Sequence, residues 1–357
     1  MTAATTSRRI LVVRNDKLGD FMLAWPALAC LKLARPDNHV SVLVPSYTAP
    51  LARACPWVDE VILDPGDAGK RDAQRRLLKE LRAKEFDALL TLFSTPRIGW
   101  LGVRARIPLR LVPATKWAQI FYNRRVVQRR SRSRKPEYRY NLELAQALLK
   151  EMGQTPPENL TPPYWPLPPE TRQAQRQRIK EELGIDSERC WIFLHAGSGG
   201  SAVNLSRERY AELAGNLAAR LAEIRPTWLL TAGPGEEDNA DHLAQILRDA
   251  GLDAHRVPPR PNLETFALTL AAADLFIAGS TGPLHIAGCL DLPTVGFYPA
   301  KRSATPLRWE TCNRAEHRLA FSPDPGSATD MQKIDLTRAA ADIAAWWKSL
   351  LNERDIP

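Results

Sequence analysis

The sequence predicts an α/β protein built from two doubly wound, parallel-sheet domains in tandem, and three observations predict it. Apolar, β-rich runs of four to seven residues alternate with helical patterns along the chain, the rhythm of a parallel sheet covered by helices on both faces. At 357 residues the chain is too long for one core and suits two domains of about 150 to 200 residues. Between them lies QTPPENLTPPYWPLPPE (154–170), whose seven prolines fix φ and remove backbone donors, so neither helix nor sheet continues through it. The expected division is a first domain over 1–160, a proline-rich linker over 161–175, a second domain over 176–333 and a terminal helix over 334–357.

In the first half RILVVR (9–14), HVSVLV (39–44), EVIL (60–63) and DALLTL (87–92) read as strands. LAWPALACLKLA and KRDAQRRLLKELRAKE between them read as helices, the second with an apolar stripe at Leu77, Leu78 and Leu81. Beyond the prolines the predicted strands are CWIFLH (190–195), TWLLTAG (227–233), residues 254–257, DLFIAG (274–279) and PTVGFY (293–298). Helices are expected from about Arg207, Glu236, Asn262 and Thr281. The last pattern, IDLTRAAADIAAWWKSLL (334–351), presents Ile343, Ala344, Trp346, Trp347 and Leu350 on one face, a face that needs something to pack on.

With 44% hydrophobic and 25% charged residues the composition is that of a globular protein, and no apolar stretch approaches the roughly 20 residues of a spanning helix. The start, MTAATTSRR, has no apolar core of a secretory signal behind its arginines, so a cytoplasmic protein is expected. Cys30, Cys55, Cys190, Cys289 and Cys312 are scattered without metal-ligand spacing and are expected to be reduced. The net charge of +9 is uneven: RRVVQRRSRSRKPEYR (124–139) holds eight Lys/Arg against Glu137 alone. Such a block is either a solvated, mobile loop or a contact for phosphates.

Open parallel sheets bind ligands outside the carboxyl ends of their strands, so the turns after strands carry the candidate chemistry. In RNDKLGD, directly after the first strand, Asp20 stands near a helix start, where it serves either as an N-cap or as an ionised general base. Pro26 predicts a short first turn and a second helix start near Trp25. In HAGSGGSAVNLSRERY (195–210), Gly197, Gly199 and Gly200 let backbone approach a ligand, and the hydroxyls of Ser198 and Ser201 suit phosphate oxygens. TAGPGEED (231–238) offers Gly233 and the acids Glu236 and Glu237, which either cap a helix or accept hydrogen bonds from ribose hydroxyls. AGSTGPLHIAG (278–288) is the sharpest signal: Gly279, Ser280, Thr281 and Gly282 precede Pro283 at a first-turn position, leaving a bare helix N-terminus suited to an anion. His285 lies within that turn, as a further contact or a buried structural histidine. Neither a GxxxxGK[ST] nor a GxGxxG occurs.

Taken together, RNDKLGDFMLAWPAL (14–28), GSGGSAVNLSRERYAELA (197–214) and GSTGPLHIAG (279–288) resemble glycosyltransferase family 9, the ADP-heptose:lipopolysaccharide heptosyltransferases. The likeness runs over essentially the whole chain in order and spacing. It implies a GT-B architecture, two Rossmann-like domains facing each other across a cleft, with the terminal helix returning to the first domain. It also implies an acceptor bound by the first domain, ADP-heptose bound by the second, and Asp20 as the general base. By the same resemblance Ser280, Thr281, Gly282 and His285 hold the diphosphate, and Glu236 or Glu237 the ribose.

Two departures stand out. The family's lysine before a Trp-Pro pair is replaced by Val203, so leaving-group charge must be met by Arg207, Arg209, Arg14 or Lys17. Ser280 stands where many members have an aspartate. The chemistry expected is a single inverting displacement with Asp20 taking the acceptor proton and the Thr281 helix meeting the phosphates, with no metal and no cofactor beyond the sugar donor. Arg14, Lys17, Gly19, Arg97, Arg104, Arg106, Arg124 and Arg125 are the expected acceptor contacts. The partners implied are ADP-heptose, Kdo-lipid A and the anionic inner membrane surface, without nucleic acid. A GT-B enzyme using another nucleotide sugar and a non-catalytic binding protein are the competing readings.

Overall fold

The computed structural model describes residues 7–114, 117–197, 199–200, 203–327 and 329–354. The chain divides into two units after Trp165, and each is a sheet of six parallel strands.

The first unit runs β1 (Arg9–Val13), α1 (Leu18–Met22), α2 (Trp25–Ala34), β2 (His39–Val44), α3 (Ala49–Ala54), β3 (Glu60–Leu63), α4 (Arg71–Ala83), β4 (Ala88–Thr91), α5 (Pro96–Arg104), β5 (Leu109–Pro113), β6 (Arg124–Val126) and α6 (Glu137–Glu151). Its sheet order is β3-β2-β1-β4-β5-β6. β1 is central and its Ile10 to Val13 are all buried, as a strand covered on both faces requires. The chain winds outward from β1 to β3 and then crosses to the other side of β1 to begin β4, so the topological switch point falls between β1 and β4. Two helices replace one at the first crossover, α1 and then α2 with Pro26 in its first turn, as the sequence predicts.

The second unit repeats the order. It contains α7 (Pro169–Leu183), β7 (Trp191–His195), α8 (Arg207–Arg220), β8 (Thr227–Leu230), α9 (Glu237–Asp249), β9 (Ala254–Arg256), α10 (Leu263–Leu270), β10 (Leu275–Gly279), α11 (Gly282–Cys289), β11 (Thr294–Phe297), α12 (Pro306–Trp309), β12 (Arg318–Phe321) and α13 (Leu336–Arg354). The sheet order β12-β11-β10-β7-β8-β9 puts its switch point between β7 and β10.

Four expectations are corrected. β5, β6 and β12 were not foreseen: β6 is three residues long and opens on two arginines, and β12 is a short edge strand opening on Arg318, so neither shows a buried strand's apolar run. Charge on an edge strand is expected, because it blocks pairing with another chain. The basic stretch 124–139 is therefore an edge strand, a 3-10 turn at Arg130–Arg132 and the start of α6, not one long loop. The proline-rich stretch is not a free linker over 161–175. Tyr164 and Trp165 are buried in the first unit, where the Trp165 ring tilts on Trp25 at 5.2 Å and Trp57 Nε1 donates to the Tyr164 carbonyl at 2.6 Å. From Pro169 the chain is already α7, which Arg172 and Arg176 tie to Asp274 and to carbonyls next to β10. Finally, the apolar face of α13 is buried in the second unit's own core, packed on α8, with Trp347 fully buried and Trp346 Nε1 donating to the Glu316 carbonyl at 2.8 Å. The face expected to return to the first domain already has its partner.

No disulfide joins the cysteines among the described residues, and all but Cys190 are buried; no helix among the described residues is long and apolar enough to cross a membrane.

Candidate active site

The first unit's switch point carries an ionic network centred on Arg14, the residue after β1. Its side chain is only 3% exposed. Nε donates to Asp16 Oδ1 at 2.8 Å, Nη2 bonds Asp20 Oδ1, and Nη1 donates to Glu137 Oε1 at 3.1 Å. Glu137 and Asn141 lie one turn apart on α6, so they share a face. Asn141 accepts from Arg14 Nη1 at 3.4 Å and donates to the Leu23 carbonyl at 3.0 Å. Arg130, in the 3-10 turn, adds a second cation: its Nη1 reaches Glu137 Oε1 at 2.6 Å and the Leu92 carbonyl beyond β4 at 3.2 Å. Two guanidinium groups thus face three carboxylates.

Asp20 lies inside the first turn of α1, and Lys17 is the N-cap, so the capping role is excluded by position. Burial pushes its carboxyl up, Arg14 opposes that, and the neighbouring charges of Asp16 and Glu137 reinforce it, leaving a pKa of about 6. Arg14 itself is held above its ordinary value, because the three carboxylates outweigh the burial that would lower it. The result is a 14% exposed carboxylate that is held in place and titrates near neutrality, the property wanted of a general base.

Among the expected acceptor contacts, Arg14 is corrected: its donors are turned onto Asp16, Asp20, Glu137 and Asn141. Arg97 is also committed elsewhere, to Asp64 and Asp67 at 2.5 and 2.6 Å. Burial alone would raise the Asp64 carboxyl, but hydrogen bonds from Arg97, Asn15 and Gly66 hold it below its ordinary value. Arg124 pairs with Glu151 at 2.5 Å. Arg125 donates to the carbonyls of Gln119 and Tyr122. Lys17, Arg104 and Arg106 are exposed and form no ion pair among the described residues. Gly19 stands beside Asp20 in α1.

In the second unit the three candidate loops leave neighbouring strands at one level. His195 at the end of β7 pairs in register with Ala278 of β10, and Leu194 with Leu230 of β8. The glycines after β7 have internal reasons. A Cβ on Gly197 would strike the Glu236 carboxylate, while Gly199 and Gly200 have φ of +54° and +67°, a region that favours glycine. Glu236 accepts the amide of Gly199 at 2.6 Å and that of Gly233 at 3.1 Å. Those two amides are therefore turned onto a side chain, not outward as an anion site would need. Glu236 joins the strand ends, whereas Glu237 sits within the first turn of α9. Ser198 and Ser201 lie outside the described residues.

α11 begins at Gly282, with Thr281 as an N-cap whose side chain makes no capping bond. Thr281 Oγ1 and His285 Nδ1 are buried without a partner among the described residues. A lone buried polar atom carries a cost of about 1–3 kcal/mol, and here two stand at one helix N-terminus with bonding capacity left open among the described residues. Burial lowers the His285 ring to a pKa of about 4, so it is a neutral imidazole at about pH 7. Ser280 spends its amide on the Phe297 carbonyl at 3.1 Å, which leaves its hydroxyl as the relevant group.

Sequence reasoning missed several members. Asn204 donates to the carbonyls of Ala196 and Gly197 and accepts from Tyr210 at 2.6 Å, and its amide occupies the space a Cβ on Gly279 would need. It thereby locks the loop after β7 to the end of β10, and it stood in plain view inside AVNLS. His195 meets Thr231 at 3.0 Å and lies 3.9 Å from Glu236, with burial lowering its pKa to about 4. Glu137 had one signal, as the lone acid in the basic run. Gly279→Ala should push Asn204 out of this lock and destabilise the protein by about 1–3 kcal/mol. Denaturant unfolding monitored on the second unit's buried tryptophans checks it, and an unchanged midpoint would remove Asn204 from the account.

Two sheets in the Rossmann strand order, each with polar groups gathered at its switch point, define the architecture: the two Rossmann-like units of the GT-B fold. The chain belongs to glycosyltransferase family 9 (heptosyltransferase), whose sequence model matches residues 74–321. A Haemophilus influenzae protein with a provisional glycosyltransferase name is 44% identical over 96% of this chain and 97% of its own. Lipopolysaccharide heptosyltransferase 2 of Salmonella typhimurium is 24% identical over 84% of this chain and 85% of its own. Among solved structures, Escherichia coli ADP-heptose lps heptosyltransferase II superposes with a TM-score of 0.75 at 18% identity, covering 96% of this chain and 99% of that one, a likeness of fold.

Proposed function

We propose that the protein transfers heptose from ADP-L-glycero-D-manno-heptose to the Kdo/inner-core region of lipopolysaccharide, with inversion and without a resident metal or cofactor. The observation that carries the chemistry is the Asp20 carboxylate, desolvated to a pKa of about 6 and held by Arg14. Asp20 takes the proton of the attacking acceptor hydroxyl as the anomeric bond to the diphosphate breaks. The N-terminus of α11 receives the diphosphate through Thr281, the Ser280 hydroxyl and the backbone amide of Gly282, with neutral His285 as a donor. Glu236, already fixed by two amides, accepts from the ribose hydroxyls.

For the charge that Val203 cannot supply, Arg207 is our choice. It opens α8 and among the described residues forms an ion pair only with the exposed Glu208, at 3.2 Å, whereas Arg209 is bound to Glu212 and the Ile334 carbonyl. The acceptor contacts we retain are Lys17, Arg104, Arg106 and Arg125, meeting an anionic, lipid-linked acceptor presented at the cytoplasmic face of the inner membrane. The relatives named as heptosyltransferases support the choice of sugar.

Mass spectrometry of a deacylated Kdo acceptor incubated with ADP-heptose and this protein tests the reading. A gain of one heptose is expected; a gain only with UDP-hexoses or GDP-mannose would replace the donor. Thr281→Val removes one hydroxyl at constant shape and should raise the KM for the donor about 5- to 30-fold with a smaller change in kcat. An unchanged KM and donor Kd would take Thr281 out of the diphosphate site.

A further inference from the structure

We infer that α5 and the 3-10 turn Trp117–Phe121 form the surface by which the first unit docks on an anionic phospholipid bilayer, tryptophan and isoleucine entering the interface and a rim of arginines meeting the headgroups. This deepens the membrane-surface part of the function proposed above and rests on it.

The first observation is one of charge. The 49 residues from Ala88 to Pro136 contain twelve Lys/Arg and no Asp or Glu, although the chain has 40 acidic residues in 357, which would put about five in a stretch of this length. Some of those cations are neutralised by carboxylates from outside the stretch, as Arg97, Arg124, Arg130 and Lys135 are. Arg104, Arg106, Arg125, Arg129, Arg132 and Arg134 are all exposed and have no ion-pair partner among the described residues.

The second observation is apolar and comes from the same stretch. Trp117 is 66% exposed, Ile120 64% and Trp100 51%, with Val103 beside Trp100's face of α5. Residues three apart in a 3-10 turn lie over one another, so Trp117 and Ile120 form one ridge. Trp100 and Val103 form another along the helix. The Phe121 ring joins them, edge-on to Trp100 at 6.0 Å and to Trp117 at 6.4 Å. Cations border this group directly. The Arg104 guanidinium lies 5.7 Å from the Trp100 ring centre, and Arg125 donates to the carbonyls of Gln119 and Tyr122 at 3.1 and 3.3 Å.

Exposed tryptophans clustered on one face are unusual on a soluble protein and mark a contact surface. A bilayer fits this one best. Indole rings partition to the membrane interface, aliphatic side chains insert beside them, and scattered arginines without any acid suit a plane of phosphodiesters. A protein partner would have to present matching carboxylates to each of these cations, whereas a bilayer of anionic phosphodiesters presents charge everywhere along its plane. The stretch that carries the rim also supplies Arg130 to Glu137 beside Arg14, so the lipid-facing surface and the Asp20 network share one run of chain.

The test is sedimentation of the full-length protein with vesicles of phosphatidylcholine alone or with one third phosphatidylglycerol, neither sugar donor nor acceptor being present. Pelleting is expected with the anionic vesicles, weakening as salt rises, and absent with phosphatidylcholine. The double variant Trp117→Ser with Ile120→Ser changes two exposed side chains; it should lose about tenfold in vesicle partitioning while keeping its circular dichroism and its transfer to a deacylated acceptor. The inference is overturned if the wild type stays in the supernatant, if the double variant pellets like the wild type, or if the wild type is a dimer that the double variant dissociates, which would assign the patch to a second copy. A wild type that pelleted but transferred no heptose would leave this surface standing and remove the proposed reaction.

Discussion

Asp20→Asn should lower heptose transfer by about 10²- to 10⁴-fold while donor affinity stays near that of the wild type. The asparagine keeps the shape and can still accept from Arg14, but it cannot take a proton. The pH dependence follows from the same group. With a pKa of about 6, Asp20 is protonated and inactive as a base at lower pH, so the wild-type rate should climb as pH rises through about 6 and then level. The acid limb should vanish in the variant. Stability carries the opposite sign to that of a salt-bridged acid with a lowered pKa. Because the folded state holds this proton more tightly than the unfolded one, Asp20 contributes most below an ordinary aspartate's pKa and loses that contribution as pH rises to about 6. Single-turnover transfer across about pH 5 to 8, with donor binding measured in parallel, checks the rate, and denaturant unfolding of wild type and variant from about pH 3 to 7 checks the stability. Near wild-type turnover in Asp20→Asn would dismiss it as the base.

Arg14→Met is expected to cost about 3–5 kcal/mol of stability. Its side chain is 3% exposed and is the shared counter-ion of Asp16, Asp20 and Glu137, so removing it leaves like charges buried together. The charge that opposes the raised Asp20 pKa goes with it, and the acid limb should move upward by about one unit or more. Should the variant fail to fold, Glu137→Gln gives the converse reading. Glu137 is one of the charges that raise Asp20, so its neutralisation should move the acid limb below 6, at a smaller stability loss of about 1–3 kcal/mol. An acid limb that stays in place in both variants would show that the network does not act on Asp20.

The candidate loops of the second unit were easier to read in the sequence than those of the first. At α11 a strand end, four small residues and a proline follow one another without a break, so the geometry is local and the spacing declares it. The glycine-rich turn after β7 was legible as a turn but not in its cause: the space at Gly197 belongs to Glu236 and the space at Gly279 to Asn204, and contacts between separate loops leave no spacing to detect. In the first unit the sequence shows only the sign of each arginine, which by itself suggests a ligand contact. Arg14, Arg97 and Arg124 prove to be paired within the first unit, since a charge shows itself in sequence and its partner does not.

Local rules therefore settled the alternation of strands and helices, the break into two units, the split of the first crossover at Pro26 and the bare start of α11, because each depends on residues within a few positions. Sheet order and long-range contact settled the rest. Glu137 stands 123 residues from Arg14, and no periodicity links them; they meet because β1 is central and α6 packs on α2 beside it. Desolvation of Asp20 likewise exists only in the folded unit, where Arg14 and Glu137 of α6 come beside it, and that burial turns an ordinary aspartate after a strand into a carboxylate that titrates near neutrality.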